Sequence, residues 1–433
     1  MTTIYRLALI LKKTITFAMG NVVSRIAFVS VSLVAAQLCG QEEYAILVLL
    51  IATFNMVNGS LGFAIFTTTS KSTATLVFQK TEKDKEDFTS WLLTALALAI
   101  SVSVICYQFS ELFFGKLFGI YSSGYGVLAF FTFLSLANFF LMGLALGQDK
   151  SGQLSKNEFL SGTLLIVMLT VVYFFGDSWV SDHGHHIFLY MLCFFFALSV
   201  LINVYSFKNS DAIRIIKLDG KLKLAPYNHL KKSAIPAFLA NLAVTLTNWL
   251  ILLLLAQSQG AQQAGKFATA LMIINIALYV PQLVSNIVLP KLVQAKEKQE
   301  KLNFLKSSAY IGVSFGTISW ILLYLLSGII NDVYKDQFSN LSSLLLVMFI
   351  AVFPIAISKV IGQLLLSENR MKLGAKFNLL WSVFYLAIAS VLLYIDVPIS
   401  YIGYSFVASY IFLLSIQVVY LKRWLKSESY YCY

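Results

Sequence analysis

Two side chains in this sequence stand out on electrostatic grounds. Arg25 and Lys359 each lie inside a long apolar run, where a cation costs roughly 2.5–3.5 kcal/mol on insertion scales. Such a charge is tolerated where it meets an aqueous cavity, an anion or a partner carboxylate. The acidic residues are poorly placed to serve as partners. Glu42 and Glu43 fall at the outer end of the first run, and Asp149 and Glu158 near the inner ends of theirs. With no Asp or Glu expected at mid-depth, the two cations are read as facing a path for an anion. Guanidinium binds phosphate oxygens in bidentate fashion, so Arg25 suits a phosphate in particular. Lys266 is a weaker candidate, because its stem can carry the charge out to an interface.

Uncharged polar residues recur around these cations at helical spacing. Residues three, four and seven apart share one helix face. Asn21, Ser24 and Arg25 make such a stripe with Phe28 and Ser32. Asn55 and Asn58 make a second with Gly59 and Gly62, and Asn241, Thr245 and Asn248 a third. Asn275, Tyr279 and Gln282 make a fourth, continued by Asn286, while Gln363 follows Lys359 by one turn. Each Asn or Gln taken singly serves equally well as an interhelical hydrogen bond. Their recurrence favours the lining of a shared polar cavity. A cation-binding carboxylate of the kind a drug or cation antiporter needs is not expected.

Other chemistry is less well supported. His183, His185 and His186 stand near Asp177 and Asp182, a cluster read as a polar loop rather than a metal site. Four scattered cysteines (Cys39, Cys106, Cys193 and Cys432) suggest neither a zinc site nor a disulfide framework. Nucleotide-binding and nucleophile-elbow patterns are missing from the sequence. No cofactor, no metal and no enzymatic activity are expected.

The elements that carry these residues must be membrane spans. Hydrophobic residues make up 58% of the 433 and charged residues 12%, about half the charge of a soluble domain. Apolar runs between polar clusters predict twelve helices, at 16–38, 45–67, 89–109, 124–147, 158–176, 187–207, 233–256, 265–290, 308–330, 341–366, 377–395 and 401–421. The start, with Arg6, Lys12 and Lys13, runs into the first span with no cleavage-site pattern, as in a signal anchor. In this scheme 27 of the 32 Lys and Arg residues fall at the termini and in the even-numbered connections. Basic residues flanking spans stay in the cytoplasm, so both termini are expected inside. The net charge of +12 is then a topology signal and a contact for anionic membrane lipids, not a sign of nucleic acid. Pro236, Pro281 and Pro354 fall within spans and are expected to kink them.

The chain also resembles itself. At an offset of 220, Asn21 falls on Asn241, Ala36-Gln37 on Ala256-Gln257, Gly40 on Gly260, Asn55 on Asn275 and Lys71 on Lys291. Leu144–Lys150 falls on Leu364–Arg370 at the same offset. The expected fold is therefore an all-α membrane protein, with twelve transmembrane helices in two pseudo-symmetric six-helix lobes. The lobes are expected at 1–207 and 233–433, joined by a cytoplasmic linker with an interfacial helix at 208–232. Parallel repeats of this kind are a known transporter plan, with the binding site between the halves.

The Arg in the first span, the run Leu38–Tyr44, its echo at Gly260–Phe267 and the ends Gly147–Lys150 and Asn369–Lys372 carry a resemblance to a known family. The chain resembles the polysaccharide transporter family, within the superfamily that includes multidrug and toxin extrusion proteins. It looks most like the O-antigen flippases of Wzx type. That resemblance implies outward movement of undecaprenyl-diphosphate-linked sugar units across a bacterial inner membrane, by alternating access. It implies as partners the lipid-linked oligosaccharide and, downstream, a polysaccharide polymerase and chain-length regulator. A multidrug or small-solute antiporter of the same superfamily is the alternative, and a non-transporting scaffold is a third. The general major-facilitator plan fits less well, since its Gly-Asp-Arg-rich motif is missing after the second span.

Overall fold

The computed structural model describes residues 22–79, 82–110, 125–148, 150–175, 184–207, 234–279, 297–334, 340–368 and 370–426, with isolated positions 20, 281, 282, 285, 292, 295 and 338. Among them the regular elements are helices. These are α1 (Val22–Leu38), α2 (Gln41–Val57), a π-helical turn (Asn58–Gly62), α3 (Phe63–Gln79), α4 (Glu82–Ser110), α5 (Tyr125–Gly147), α6 (Ser151–Phe175) and α7 (Gly184–Phe207). They continue with α8 (Ile235–Gln259), α9 (Ala261–Ala277), α10 (Lys298–Leu325), α11 (Ser327–Val333), α12 (Leu341–Phe349), α13 (Val352–Ser367), α14 (Met371–Tyr394) and α15 (Ile399–Lys426).

Nine helices among the described residues are long and apolar enough to cross a bilayer, and ten when the bent pair α12–α13 counts as one span. The chain is thus a multi-pass membrane protein. Backbone groups in hydrocarbon must be satisfied within the segment, which is why the apolar runs become helices. Phe174, Phe175, Leu201 and Tyr205 are left exposed, as side chains facing lipid tails need no burial.

Several helices begin earlier than their apolar composition suggests. The span expected at 158–176 begins at Ser151, and the one expected at 308–330 begins at Lys298. Their polar first turns hold because those side chains find partners or reach the membrane surface. The span expected at 341–366 is bent by 41° between α12 and α13. Pro354 lies just past the break and has no N–H to give the carbonyl one turn back.

The chain divides into two compact units, Met1–Thr245 and Leu246–Tyr433, and the division falls within α8. The connection 208–232 lies outside the described residues. In the first unit α3 and α5 pack closely. A Cβ on Gly143 would stand 2.6 Å from the Phe66 carbonyl oxygen, and one on Gly147 2.6 Å from that of Ser70. Trp91 of α4 is buried with Ile65 and Leu136, and its Nε1 donates to Thr69 Oγ1 at 2.9 Å.

The second unit is held by aromatic packing and by charges at one end. Trp381 of α14 lies 4.8 Å from the Tyr410 ring of α15, and Phe406 5.0 Å from the same ring. At the end where α10 begins and α13 and α15 finish, Lys301 pairs with Glu368. Beside it, Lys298 Nζ donates to the Trp424 carbonyl at 2.9 Å, and Arg370 Nη1 donates to Tyr420 Oη at 2.8 Å.

Candidate functional site

The chemically loaded site of the first unit is built around a carboxylate. Glu158 is the eighth residue of α6, about 10 Å along from its start, and only 5% exposed. Ser24 of α1, Asn138 of α5 and Ser199 of α7 offer it hydrogen bonds, and the Arg25 guanidinium interacts with it electrostatically. Its Oε1 is buried and accepts no hydrogen bond. The sequence reading put this residue near the end of its span and found no acid at mid-depth. The structure corrects the placement at the start of the helix, because α6 begins seven residues before Glu158. It also corrects the expectation that the chain lacks a buried carboxylate.

A chain of amides extends from this carboxyl. Asn203 Nδ2 donates to Asn138 Oδ1 at 2.8 Å, and Ser199 Oγ donates to the same oxygen at 3.3 Å. Asn157 Nδ2 donates to Asn203 Oδ1 at 2.8 Å, and Ser206 Oγ to Asn157 Oδ1 at 3.2 Å. Asn138, Asn157 and Asn203 are all buried. Each amide thus fixes the orientation of the next, so three helices share one polar seam.

Close backbone contact brings α1 to this seam. A Cβ on Gly162 would stand 2.8 Å from the Ser24 Cα and nitrogen. One turn away, Gly20 N–H donates to Ser155 Oγ at 3.2 Å. Without side chains at these glycines, α1 comes close enough for Ser24 to hydrogen-bond Glu158.

The expected stripes are placed unevenly. Asn21 and Asn286 lie outside the described residues, as do most positions around the histidine cluster. Ser24 is buried in the seam, whereas Arg25, Asn55 and Asn275 are exposed. Asn55 and Asn275 are repeat-related and share that exposure. Asn58 is buried at the start of the π-helical turn, where its Nδ2 donates to the Phe54 carbonyl at 2.9 Å. In α8, Asn241 Nδ2 donates to the Ala237 carbonyl at 3.0 Å, and Thr245 Oγ1 to that of Asn241 at 3.1 Å. These two therefore satisfy their own helix first.

In the second unit Asn248, Tyr279, Gln282, Lys359 and Gln363 are half-buried, and Asn248 Oδ1 is buried with no hydrogen-bond partner. Lys359 lies on α13 and Lys266, also half-buried, on α9. The described acidic residues after Thr245 (Glu297, Glu300, Asp332, Glu368 and Asp396) fall at helix ends, in the short α11 or in connections. Among the described residues, the second unit therefore carries Lys266 and Lys359 within apolar helices and its carboxylates near helix ends.

Asn138, Glu158, Ser199 and Asn203 were not among the candidates drawn from the sequence. Their signal was polarity within apolar runs. That signal does not recur at the 220 offset, where these four become Ser358, Asn378, Val419 and Arg423.

No protein-family model matches the chain, and no curated protein sequence matches it. Among solved structures it is similar to an inward-facing multidrug resistance MATE family transporter of the MOP superfamily. The TM-score is 0.73 at 13% identity, over 94% of this chain and 97% of that one. An outward-facing MATE family transporter gives a TM-score of 0.70 at 12% identity, over 95% and 94% of the two chains. A MATE structure in a bent conformation gives 0.70 at 13% identity, over 95% and 93%. The chain has the fold of MATE transporters.

Proposed function

We propose that this chain is a membrane transporter that flips a lipid-linked, diphosphate-bearing oligosaccharide. The substrate is of the undecaprenyl-diphosphate O-antigen type, moved from the cytoplasmic to the periplasmic leaflet of a bacterial inner membrane by alternating access. The observation that carries this reading is the charge of the span interiors. Arg25, Lys266 and Lys359 outnumber Glu158, and Arg25 is exposed to receive an anion. Arg25 supplies a bidentate clamp for a diphosphate, and Lys359 is a cation of the same kind on α13. Asn55 and Asn275, exposed in apolar helices, suit sugar hydroxyls. The isoprenoid tail stays in lipid while the headgroup crosses. A polysaccharide polymerase and chain-length regulator would then consume the product.

The test is a proteoliposome assay with lipid-linked oligosaccharide, reading arrival of the glycan in the opposite leaflet with an impermeant lectin. Arg25→Ala and Lys359→Ala are expected to slow arrival at least about tenfold, a loss of about 1.4 kcal/mol, while both proteins insert normally. Wild-type rates in both variants would refute the reading.

A second reading is export of drugs or other small solutes in exchange for a cation, and Glu158 is the observation in its favour. A buried carboxylate is what such exchange requires. It predicts that Glu158→Gln abolishes resistance to cationic drugs in cells, whereas Arg25→Ala and Lys359→Ala leave it intact.

A further inference from the structure

We propose that the outer groove between α14 and α15 binds one anionic glycerophospholipid, with Lys376 and Arg423 on its phosphate and the apolar side chains beyond them on its acyl chains. The site lies within the second unit and holds for any cargo.

Ring contacts fix the groove. α14 and α15 are antiparallel neighbours: the Phe377 and Tyr420 rings lie 5.8 Å apart, and farther along the Phe384 and Phe412 rings stack at 4.3 Å. Trp381, Tyr385 and Leu413 are buried behind them, whereas Phe384 and Phe412 are half-buried. On α14, Lys376, Leu380 and Phe384 follow one another at four-residue steps and share a face. On α15, Phe412, Val419 and Arg423 follow at steps of seven and four and share another. Lys376, Leu380, Val419 and Arg423 are all exposed. Each face therefore runs from the stacked rings to a cation, and both cations stand at the same end of the helix pair. The run is about 12 Å along α14 and about 16 Å along α15.

Charge gathers at that end. Lys372 stands one turn before Lys376, and Lys422 and Lys426 flank Arg423, all three exposed. Neither helix contains an acidic residue. Just ahead of α14, Arg370 donates to Tyr420 Oη, and Glu368 is engaged by Lys301. Glu297 and Glu300 belong to the start of α10, whose Lys298 sits 5.0 Å from the Trp424 ring, and that ring is on the buried face of α15. The mouth of the groove is thus a positive patch bordering an apolar surface.

That combination selects the ligand. A soluble phosphate meets the cations but leaves Leu380, Val419 and the ring pair uncovered. A zwitterionic lipid covers them, but its own ammonium competes with Lys376 and Arg423 for the phosphate. An anionic diacyl lipid satisfies both ends: basic side chains at a membrane surface attract its headgroup, and its chains are as apolar as the side chains they cover. Arg423 offers the phosphate a forked donor, and Lys376 a point charge on a flexible stem.

The experiment titrates the full chain in detergent with phosphatidylglycerol or phosphatidylethanolamine and counts bound lipid by native mass spectrometry. Wild type is expected to retain one phosphatidylglycerol, with at least about tenfold higher affinity than phosphatidylethanolamine. A cation near an anionic headgroup contributes about fivefold, so Lys376→Gln combined with Arg423→Gln is expected to remove most of that preference. Lys156→Gln, at an exposed site of the first unit, is expected to keep it. Glycerol phosphate, which has no acyl chains, is expected not to displace the lipid. A second measurement needs no variant: phosphatidylglycerol raises the melting temperature of wild type more than phosphatidylethanolamine does. Equal affinities or equal thermal shifts with the two lipids overturn the site. So does an unchanged preference in the double variant, an equal loss in Lys156→Gln, or displacement by glycerol phosphate.

Discussion

Gly162 decides how near α1 comes to the buried seam. Ala at this position would place a methyl 2.8 Å from the Ser24 backbone, and overpacking of that kind costs about 1–3 kcal/mol. Gly152, on the same helix, has nothing within 4 Å of its Cβ direction. Gly152→Ala is therefore expected to be neutral or stabilising by up to about 1 kcal/mol, while Gly162→Ala lowers the detergent melting temperature and the transport rate together. The amide chain makes its own prediction. Asn203→Leu removes a donor from Asn138 and an acceptor from Asn157, at a cost of about 1–3 kcal/mol. Thermal unfolding of the purified variant checks it, and an unchanged midpoint would show that the seam contributes nothing to stability. At this scale the sequence revealed residue types and concealed partners. Arg25 was visible as a cation in an apolar run, but its neighbour Glu158 could be paired with it only once α6 was seen to begin seven residues before it.

Helix irregularities were legible where a proline caused them and hidden where geometry did. The bend at Pro354 follows from a missing donor, and Pro354→Ala restores it. Spin labels at Ser343→Cys and Gly362→Cys, both exposed, are expected to move apart as the 41° bend relaxes in that variant. An unchanged distance would place the cause of the bend in tertiary packing. The π-helical turn at Asn58–Gly62 had no such signature, since each of its residues also suits an α-helix. Close approach distinguishes it: a Cβ on Gly59 would stand 2.6 Å from Thr245 Cγ2, and one on Gly62 2.6 Å from the Phe139 ring. Helix starts were misplaced for a related reason. Apolar composition marks only the apolar part of a helix, and α6 and α10 begin earlier, through turns whose polar side chains find neighbours.

Across the whole molecule, apolar composition was the most legible feature, because a long run sums over many residues and single misreadings average out. The basic residues at the termini and in the even-numbered connections add an expectation of orientation. The orientation they imply is directly testable in a chain whose Cys39, Cys106, Cys193 and Cys432 are replaced by serine. Cysteine at Lys426, at the basic end of α15, is expected to react with an impermeant maleimide only after the cell is permeabilised. Cysteine at Asp396, between α14 and α15, is expected to react in intact cells. The opposite pattern would invert the topology and the direction of transport with it. What the sequence did not show was how differently the two units are filled. The first unit encloses a carboxyl and a run of amides, where the second packs Trp381, Tyr385, Phe406 and Tyr410.

That divergence has a thermodynamic consequence. Exposing apolar surface raises the heat capacity on unfolding, whereas exposing polar surface lowers it. The aromatic packing of the second unit and the amide seam of the first therefore respond differently to temperature, and cooling weakens the former more.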